Sequence, residues 1–227
     1  MSEESGRTLV CSVLFVDIVG YSKRTVAEQF DIKRRFNGIV AGALELLKRR
    51  DRVIMDTGDG AAIVFLGDPE DALVVGAVLR EHHAKVPVRM GINLGPVKLM
   101  TDLNDQVNAI GDGINVAQRV MSFAEDGQLL VSSSYHDVIS RQAVEYANLF
   151  TREGRRQDKH VREYEVWSVS EDLHVGQRDS LTDDSPPELV VSGFFDKEPE
   201  GQADVQAASI EPAKESAFAV AACRALP

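Results

Sequence analysis

LFVDIVGYS, residues 14–22, is the stretch around which the rest of the chain is organised. An apolar run with strand character breaks at Asp17 and leads at once into Gly20. A strand buried on both faces rarely ends in a free carboxylate. We therefore expect Asp17 either to form an Asx turn or helix N-cap, or to hold a cation.

A second carboxylate, Asp59, lies in MDTGDGAAIVF, residues 55–65. Apolar residues on both sides of a Gly-Asp-Gly turn are typical of a β-hairpin, here with Asp59 at its tip. Two hard oxygen donors on neighbouring strand ends suit Mg²⁺ or Mn²⁺ better than zinc. The second motif thus favours the cation interpretation of the first.

Composition limits what these carboxylates can belong to. The 227 residues are 44% hydrophobic, enough for one sizeable core and an appendage. A formal net charge of -11 argues against a nucleic-acid binder. Any phosphate chemistry must therefore be local and assisted by metal ions.

The sequence also predicts the compartment. Cys11 and Cys223 form no disulfide framework and lack metal-ligand spacing, so plain thiols are expected. The N-terminus has no basic segment followed by an apolar one, and no stretch approaches the ~18 apolar residues of a membrane span. We expect a cytoplasmic protein that engages neither membrane nor nucleic acid.

Hydrophobic periodicity predicts an element order that begins β, α, β, β, α, β. The first helix should start at a Ser22 or Thr25 cap and bury Phe30 among its apolar positions. This order implies an α+β fold with an antiparallel-rich sheet on one side and helices on the other. The predicted elements are strand 8–18, helix 26–50, hairpin 52–66, a helix from 68 to about 84, strands 87–94 and 97–103 joined at Gly95-Pro96, a helix from about 114, strand 128–133, helix 134–142 and a closing hairpin 147–169.

The third informative stretch is AIGDGINVAQRVMSFAEDG, residues 109–127. Glycines 111 and 113 introduce a helix on which Asn115 and Arg119, four residues apart, project from one face. Asn115 also fits a residue near the helix cap, and Arg119 an ordinary surface arginine. This segment alone leaves both interpretations open.

The character of the chain changes beyond Ser170. From residue 171 onward there are twelve Asp and Glu against four Lys and Arg, so this part carries -8 of the net charge. We predict a catalytic domain over residues 1–170 and an acidic linker with a partly disordered C-terminal tail over residues 171–227.

Three motifs in this order, LFVDIVGYS, the GDG of residues 58–60 and GDGINVAQR of residues 111–119, resemble the class III nucleotidyl cyclase catalytic domain. The resemblance runs from about residue 8 to 169 and implies the ferredoxin-like α+β fold of that family. It implies that Asp17 and Asp59, with the carbonyl of Ile18, bind two divalent metal ions, Mn²⁺ or Mg²⁺. One cation would lower the pKa of the ribose 3′-hydroxyl while the other neutralises the triphosphate.

The same resemblance implies the remaining contacts to a nucleoside triphosphate. Asn115 would orient the ribose, and Arg119 would stabilise charge on the α-phosphate. In this family the metal half of a site and the Asn/Arg half come from different catalytic domains, so we expect a head-to-tail homodimer with composite sites. The implied nucleotide or phosphate contacts are Phe15, Val19, Gly20, Tyr21 and Lys159, with Arg155 or Arg156 as alternatives to Lys159.

The departures from the family concern the base. Met55 and Asn108 stand where adenylate cyclases carry a Lys and an Asp that read adenine, and the Glu expected for guanine is also missing. Methionine cannot donate a hydrogen bond to a ring nitrogen. The chain most resembles the bacterial anti-phage pyrimidine cyclases, which implies UTP as substrate and a cyclic UMP product read by a separate effector. The alternatives are an adenylate cyclase with an atypical base pocket and an inactive nucleotide-binding module; retention of Arg119 argues against the latter.

Overall fold

A computed structural model describes residues 7–47, 52–158, 161–175 and 189–191. The helices are α1 Val26–Glu45, α2 Asp71–Glu81, α3 Asp112–Ser122, α4 Ser133–Ile139 and α5 Val144–Ala147, with a 3₁₀ turn at Tyr21–Lys23. The strands are β1 Thr8–Ile18, β2 Arg52–Asp56, β3 Gly60–Phe65, β4 Val88–Thr101, β5 Val107–Ile110, β6 Leu129–Ser132, β7 Phe150–Gln157, β8 Glu163–Val169, β9 Leu173–Val175 and β10 Leu189–Val191.

The first strand is the centre of the main sheet. Its β-branched and aromatic residues favour extended backbone, and it pairs antiparallel with β3 on one side and β4 on the other. The strand order is β2-β3-β1-β4-β6-β8-β7, with β5 added to β4. Only the β4–β6 pairing within this described sheet is parallel. The predicted α+β class with an antiparallel-rich sheet is thus confirmed.

Helices cover both faces of this sheet. Successive side chains of β1 point to opposite faces. Leu14 and Val16 join the core formed with α1, α2 and α4. Val13 and Phe15 join a second cluster that includes Ala117 of α3. The expectation that all helices lie on one side is therefore wrong, because α3 packs on the face opposite to α1 and α2.

Two local predictions also need correction. Gly95 and Pro96 do not separate two strands: β4 runs unbroken from Val88 to Thr101, because β1 pairs with it from Val88 to Lys98, beyond both residues, and Val10 faces Pro96. The strand β5 was missed. Phe30 is 68% exposed, since the buried stripe of α1 runs through its neighbours in the helix rather than through Phe30.

The sequence offered two candidates for the N-cap of α1, Ser22 and Thr25, and in the structure Thr25 is the cap. Its hydroxyl accepts from the Glu28 backbone N–H, while the Glu28 carboxylate accepts from the Thr25 N–H, which completes a capping box. The predicted end of this helix, residues 48–50, lies outside the described residues.

Glycines on β4 let α3 lie directly on the strand backbone. A Cβ on Gly91 would lie 2.2 Å from the Met121 nitrogen and 2.7 Å from the Ala117 carbonyl oxygen. Further along, a Cβ on Gly95 would lie 2.9 Å from the Cα of Gly113. The height of α3 above the sheet therefore depends on the missing side chains at these positions.

Gly91→Ala should lower the free energy of unfolding by about 3 kcal/mol, because the methyl group would overlap backbone atoms of α3 that cannot move independently. Gly42→Ala is the matched control, since a Cβ there meets nothing within 4 Å on the exposed side of α1. That change should stabilise the helix by about 0.5–1 kcal/mol. Urea unfolding of the two variants measures the difference; equal midpoints would contradict the close contact.

The chain beyond β8 contributes to the core formed with α1, α2 and α4. Leu173 is buried in it, and the Arg80 guanidinium donates to the carbonyls of Val169 and Leu173 at 3.1 and 2.9 Å. The strand β9 pairs with β10 in a two-stranded sheet. The predicted boundary between residues 1–170 and 171–227 stays a prediction, since most of the second segment lies outside the described residues. Within the described part of the chain, no helix combines the length and apolarity needed to cross a membrane.

Candidate active site

Asp17 is the penultimate residue of β1 and lies on the face that carries α3. The register of the sheet places Arg89 of β4 directly opposite it. The Arg89 Nε donates to the Asp17 Oδ2 at 2.8 Å, and the Asp17 side chain is only 14% exposed. The carboxylate thus ends the strand in an ion pair rather than as a helix cap: Thr25 caps α1.

Asp59 occupies the turn between β2 and β3, as predicted. Gly58 adopts a left-handed φ of 86°, and a Cβ on Gly60 would lie 1.9 Å from the Val16 carbonyl oxygen, so both flanking glycines are required. The Ile18 backbone N–H donates to the Asp59 carbonyl at 2.9 Å. This bond ties the turn to the end of β1 and brings the second carboxylate beside the first.

The two carboxylates influence each other electrostatically. Burial raises the pKa of Asp17, the ion pair with Arg89 opposes that rise, and the neighbouring Asp59 adds to it. Two anions held this close repel one another, and a cation placed between them would relieve the repulsion. The two carboxylates therefore form a site whose negative charge favours binding of a positive ion.

A cavity of about 410 Å³ opens in front of this pair. It is lined by Asp17, Asp59 and Arg89, and by the predicted segment 18–21. The N–H of Ile18 is used by Asp59 and that of Val19 by the Pro87 carbonyl, so neither is free for a phosphate. The positive φ of 71° at Gly20 turns the chain along the cavity wall.

Phe15 was predicted as a nucleotide contact, but it does not line this cavity. Its side chain is 6% exposed and packs in the cluster under α3. Its part in nucleotide binding stays a prediction.

The donor set fits divalent metal ions that bind together with a nucleotide. Among the described residues, no group of three or more His, Cys, Asp or Glu side chains could hold a metal by itself. Asp17 and Asp59 supply hard oxygens of the kind that Mg²⁺ and Mn²⁺ prefer, and Mg²⁺ is commonly held by one or two carboxylates plus substrate phosphates. The two carboxylates can therefore hold such ions when a triphosphate completes the coordination.

Asn115 and Arg119 lie on α3, as predicted, and Asn115 is exposed. The Arg119 Nε lies 3.7 Å from the Asp158 Oδ2 in the turn between β7 and β8. Neither Asn115 nor Arg119 lines the cavity in front of Asp17. The cavity in front of Asp17 therefore does not bring the two halves of the predicted site together in one chain.

The predicted phosphate lysine, Lys159, lies outside the described residues. Its two alternatives are described: Arg155 pairs with Glu163 at 3.5 Å and Arg156 with Glu153 at 3.6 Å, both on the exposed β7–β8 hairpin.

The base-reading candidates lie on β2 and β5, two strands that are in contact although β2 pairs with β3 and β5 with β4. Met55 is half-buried in the cluster that contains Ala109. Asn108 precedes Ala109 in β5, so its side chain points to the other face of that strand. The Asn108 Oδ1 accepts from the Ala109 backbone N–H at 2.7 Å. That Met55 and Asn108 read a base together stays a prediction.

Arg89 and Asp158 were missed by sequence reasoning. Arg89 sits in VRMGINLG, where nothing local distinguishes it from a surface arginine; only the pairing of β1 with β4 brings it to Asp17. Asp158 was hidden in a polar run, residues 152–160, of the kind that usually forms a solvated turn.

The comparisons with known proteins agree with this geometry. The family model described as the adenylate and guanylate cyclase catalytic domain matches residues 39–164, and the chain belongs to this family. Asp59, Asn115 and Arg119 lie within the matched segment, and Asp17 precedes it.

Two curated relatives carry cyclase names. "Putative adenylate cyclase 3" of Rhizobium meliloti (strain 1021) is 25% identical over 83% of this chain and 33% of its own length. The receptor-type guanylate cyclase gcy-8 of Caenorhabditis elegans is 28% identical over 60% of this chain and 14% of its own length. The chain thus spans a third or less of each relative.

Solved structures share the fold. The guanylate cyclase domain of RhGC from Catenaria anguillulae, solved with GTP, superimposes with a TM-score of 0.60 at 18% identity, covering 72% of this chain and 98% of that one. The adenylyl cyclase CyaB from P. aeruginosa gives 0.58 at 21% identity, covering 77% and 99%.

Proposed function

We propose that this protein is a pyrimidine nucleotide cyclase that converts UTP to 3′,5′-cyclic UMP and pyrophosphate. The observation that carries the cyclase activity is the pair of adjacent carboxylates, Asp17 and Asp59, facing one cavity beside Arg89. Membership of the cyclase family supports the reaction class.

Each residue has a distinct part in this reaction. Asp17 and Asp59 would hold two divalent ions, which supply activation of the ribose 3′-hydroxyl and neutralisation of the triphosphate. Asn115 would bind the ribose and keep its 3′-oxygen in line with the bond to be broken. Arg119 would meet the charge that grows on the α-phosphate as pyrophosphate leaves. Arg89, released from Asp17 by the bound cations, would be free to pair with a phosphate oxygen.

A second copy of the chain would complete each site, because neither Asn115 nor Arg119 lines the cavity of the metal half in one chain. The hairpin of β4 and β5 supports such an interface. It exposes four apolar side chains close together in sequence, which favours contact with another protein surface. These are Met100, Leu103, Val107 and Ile110. A head-to-tail homodimer would hold two composite sites.

The base preference rests on Asn108. With its Oδ1 engaged by the Ala109 N–H, the amide offers its NH₂ group as a donor. Uracil presents two acceptors, O4 and O2, on either side of one N3–H donor, whereas adenine presents one acceptor, N1, on the corresponding edge, beside an exocyclic amine that needs an acceptor. Guanine also has an acceptor at O6, but its N1–H and amine need acceptors that the thioether of Met55 supplies poorly. Cytosine O2 fits the same donor, so cyclic CMP is the nearest competing product.

The purified protein with Mn²⁺ should turn over UTP far faster than ATP or GTP, with CTP as the nearest competitor and with products identified by mass. A site that leaves buried polar groups unpaired against the wrong base can discriminate by about 10⁴-fold. Asn108→Ala should lose this preference together with most of the activity. Asn37→Ala, which removes an exposed amide on α1, should leave both unchanged. Preferential cyclisation of ATP would make the chain an adenylate cyclase, the activity in the name of its Rhizobium relative.

The product is proposed to act as a second messenger in anti-phage defence, read by a separate cyclic-nucleotide effector. The support is the resemblance to bacterial pyrimidine cyclases. Cyclic UMP that rises in infected cells with the wild-type chain, and not with Asp59→Ala, would meet this expectation; unchanged levels on infection would contradict it.

A further inference from the structure

Asp158, which follows β7, and Arg162, which precedes β8, both pair with the face of α3 that carries the predicted catalytic pair. Asp112, Asn115 and Arg119 are spaced three and four residues apart, so they line one face of the helix. Arg162 pairs with Asp112 at 3.4 Å at the start of this face. Asp158 pairs with Arg119 two turns later, at 3.7 Å. Asp158 and Arg162 therefore contact α3 on either side of Asn115.

Asp158 is held firmly where it meets Arg119. Its side chain is 7% exposed, and its Oδ1 accepts from the Arg162 backbone N–H at 3.0 Å. Its Oδ2 accepts from the Tyr164 hydroxyl at 3.4 Å. The Tyr164 ring in turn packs against Phe123, just beyond α3, with centroids 5.9 Å apart. A carboxylate with these bonds is a fixed anion rather than a mobile surface group.

The contact with Asp158 gives the Arg119 guanidinium a direction. Arginine presents five N–H groups in a planar fork, and here the Nε side faces Asp158. This contact is an ion pair at 3.7 Å rather than a hydrogen bond, and it leaves terminal N–H groups of Arg119 available to other oxygens. A forked donor held at its base is suited to two oxygens of one phosphoryl group.

We propose that Asp158 is a positioning residue: it orients Arg119 toward the α-phosphate of the nucleotide bound by the partner's metal half. The proposal rests on the proposed cyclase function. Asp158 itself touches neither substrate nor metal in this scheme. Its removal should therefore lower kcat and leave the KM for the nucleotide nearly unchanged, because Arg119 acts mainly on the transition state.

The test compares Asp158→Asn with Glu163→Gln, which removes an exposed carboxylate paired with Arg155 on the same hairpin. Asp158→Asn should reduce kcat by about 10- to 100-fold, the range expected when a catalytic group loses its orienting partner. Glu163→Gln should stay within about two-fold of wild type, since exposed ion pairs contribute little. In an Arg119→Ala background, Asp158→Asn should cause no further loss, because its effect passes through Arg119.

Subunit mixing separates positioning from folding. Asp158→Asn chains mixed with Asp59→Ala chains should regain activity, which also shows that the Asp158→Asn chain folds and dimerises. Mixed with Arg119→Ala chains they should regain none, since both lesions lie in the same half of the site.

Four results would overturn the proposal. An unchanged kcat in Asp158→Asn would mean that the ion pair with Arg119 contributes nothing to catalysis. A raised kcat would mean that the ion pair holds Arg119 away from the substrate. A further loss in the Arg119→Ala background would mean that Asp158 acts elsewhere. Failure to complement Asp59→Ala would mean that the substitution damages the fold. If the wild-type chain cyclises no nucleotide, or if Arg119→Ala keeps full cyclase activity, the proposed function itself would be contradicted.

Discussion

Asp59→Ala is expected to lower nucleotide cyclisation by at least about 10³-fold while leaving the chain folded. The fold depends on the backbone of Asp59, whose carbonyl accepts from Ile18, and alanine keeps that bond. The carboxylate itself projects from an exposed turn. Loss of the Asp59 carboxylate therefore removes one of the two predicted cation ligands and few packing contacts.

Asp17→Ala should lower activity to a similar extent, with a larger effect on stability, because it leaves the half-buried Arg89 without its ion-pair partner. Turnover with Mn²⁺ and thermal unfolding measure the two effects separately. Asp31→Ala, which removes an exposed carboxylate on α1, is the matched control and should change neither. Near-full activity in a folded Asp17 or Asp59 variant would remove that carboxylate from the mechanism.

Mixing Asp59→Ala chains with Arg119→Ala chains, each with only a small residual activity, should raise activity far above that of either variant alone. In a mixed dimer, one site combines the intact metal half of the Arg119→Ala chain with the intact α3 of the Asp59→Ala chain. With random pairing about half of the dimers are mixed, and each has one intact site, so about a quarter of wild-type activity is the ceiling.

The control for this experiment is a mixture of Asp17→Ala and Asp59→Ala chains. Both lesions fall in the metal half, so no dimer of these chains has an intact site and activity should stay absent. If Asp59→Ala and Arg119→Ala chains exchange subunits and still regain nothing, the four residues act within one chain.

Local signals predicted much of this protein. Alternation and apolar runs predicted β1 and the hairpin around Asp59, because strand pattern and turn glycines are properties of neighbouring residues. Spacing predicted that Asn115 and Arg119 share a helix face, since the helical period depends only on position along the chain. The three motifs in sequence order indicated the cyclase family, which the family match confirms.

Other predictions failed where distant segments decide the outcome. Glycine and proline often interrupt a strand, yet β4 continues through Gly95 and Pro96 because β1 pairs with β4 on both sides of these residues. Phe30 follows the apolar spacing of α1 but lies just outside the stripe that faces the sheet. Whether a strand continues and which helix residues are buried depend on contacts between elements that are distant in sequence. Hydrophobic periodicity carries no information about those contacts.

The amino-acid sequence by itself determined the strand, turn and helix that carry Asp17, Asp59, Asn115 and Arg119, since each depends on residues within a few positions of it. Only the tertiary structure decided what surrounds them. Strand register placed Arg89 against Asp17, and the glycines of β4 let α3 settle on the face opposite to α1. Folding of the β7–β8 turn onto α3 brought Asp158 to Arg119. The Arg119–Asp158 and Asp17–Arg89 pairs join residues that lie 39 and 72 positions apart in the chain, and only packing of the complete sheet brings such residues together.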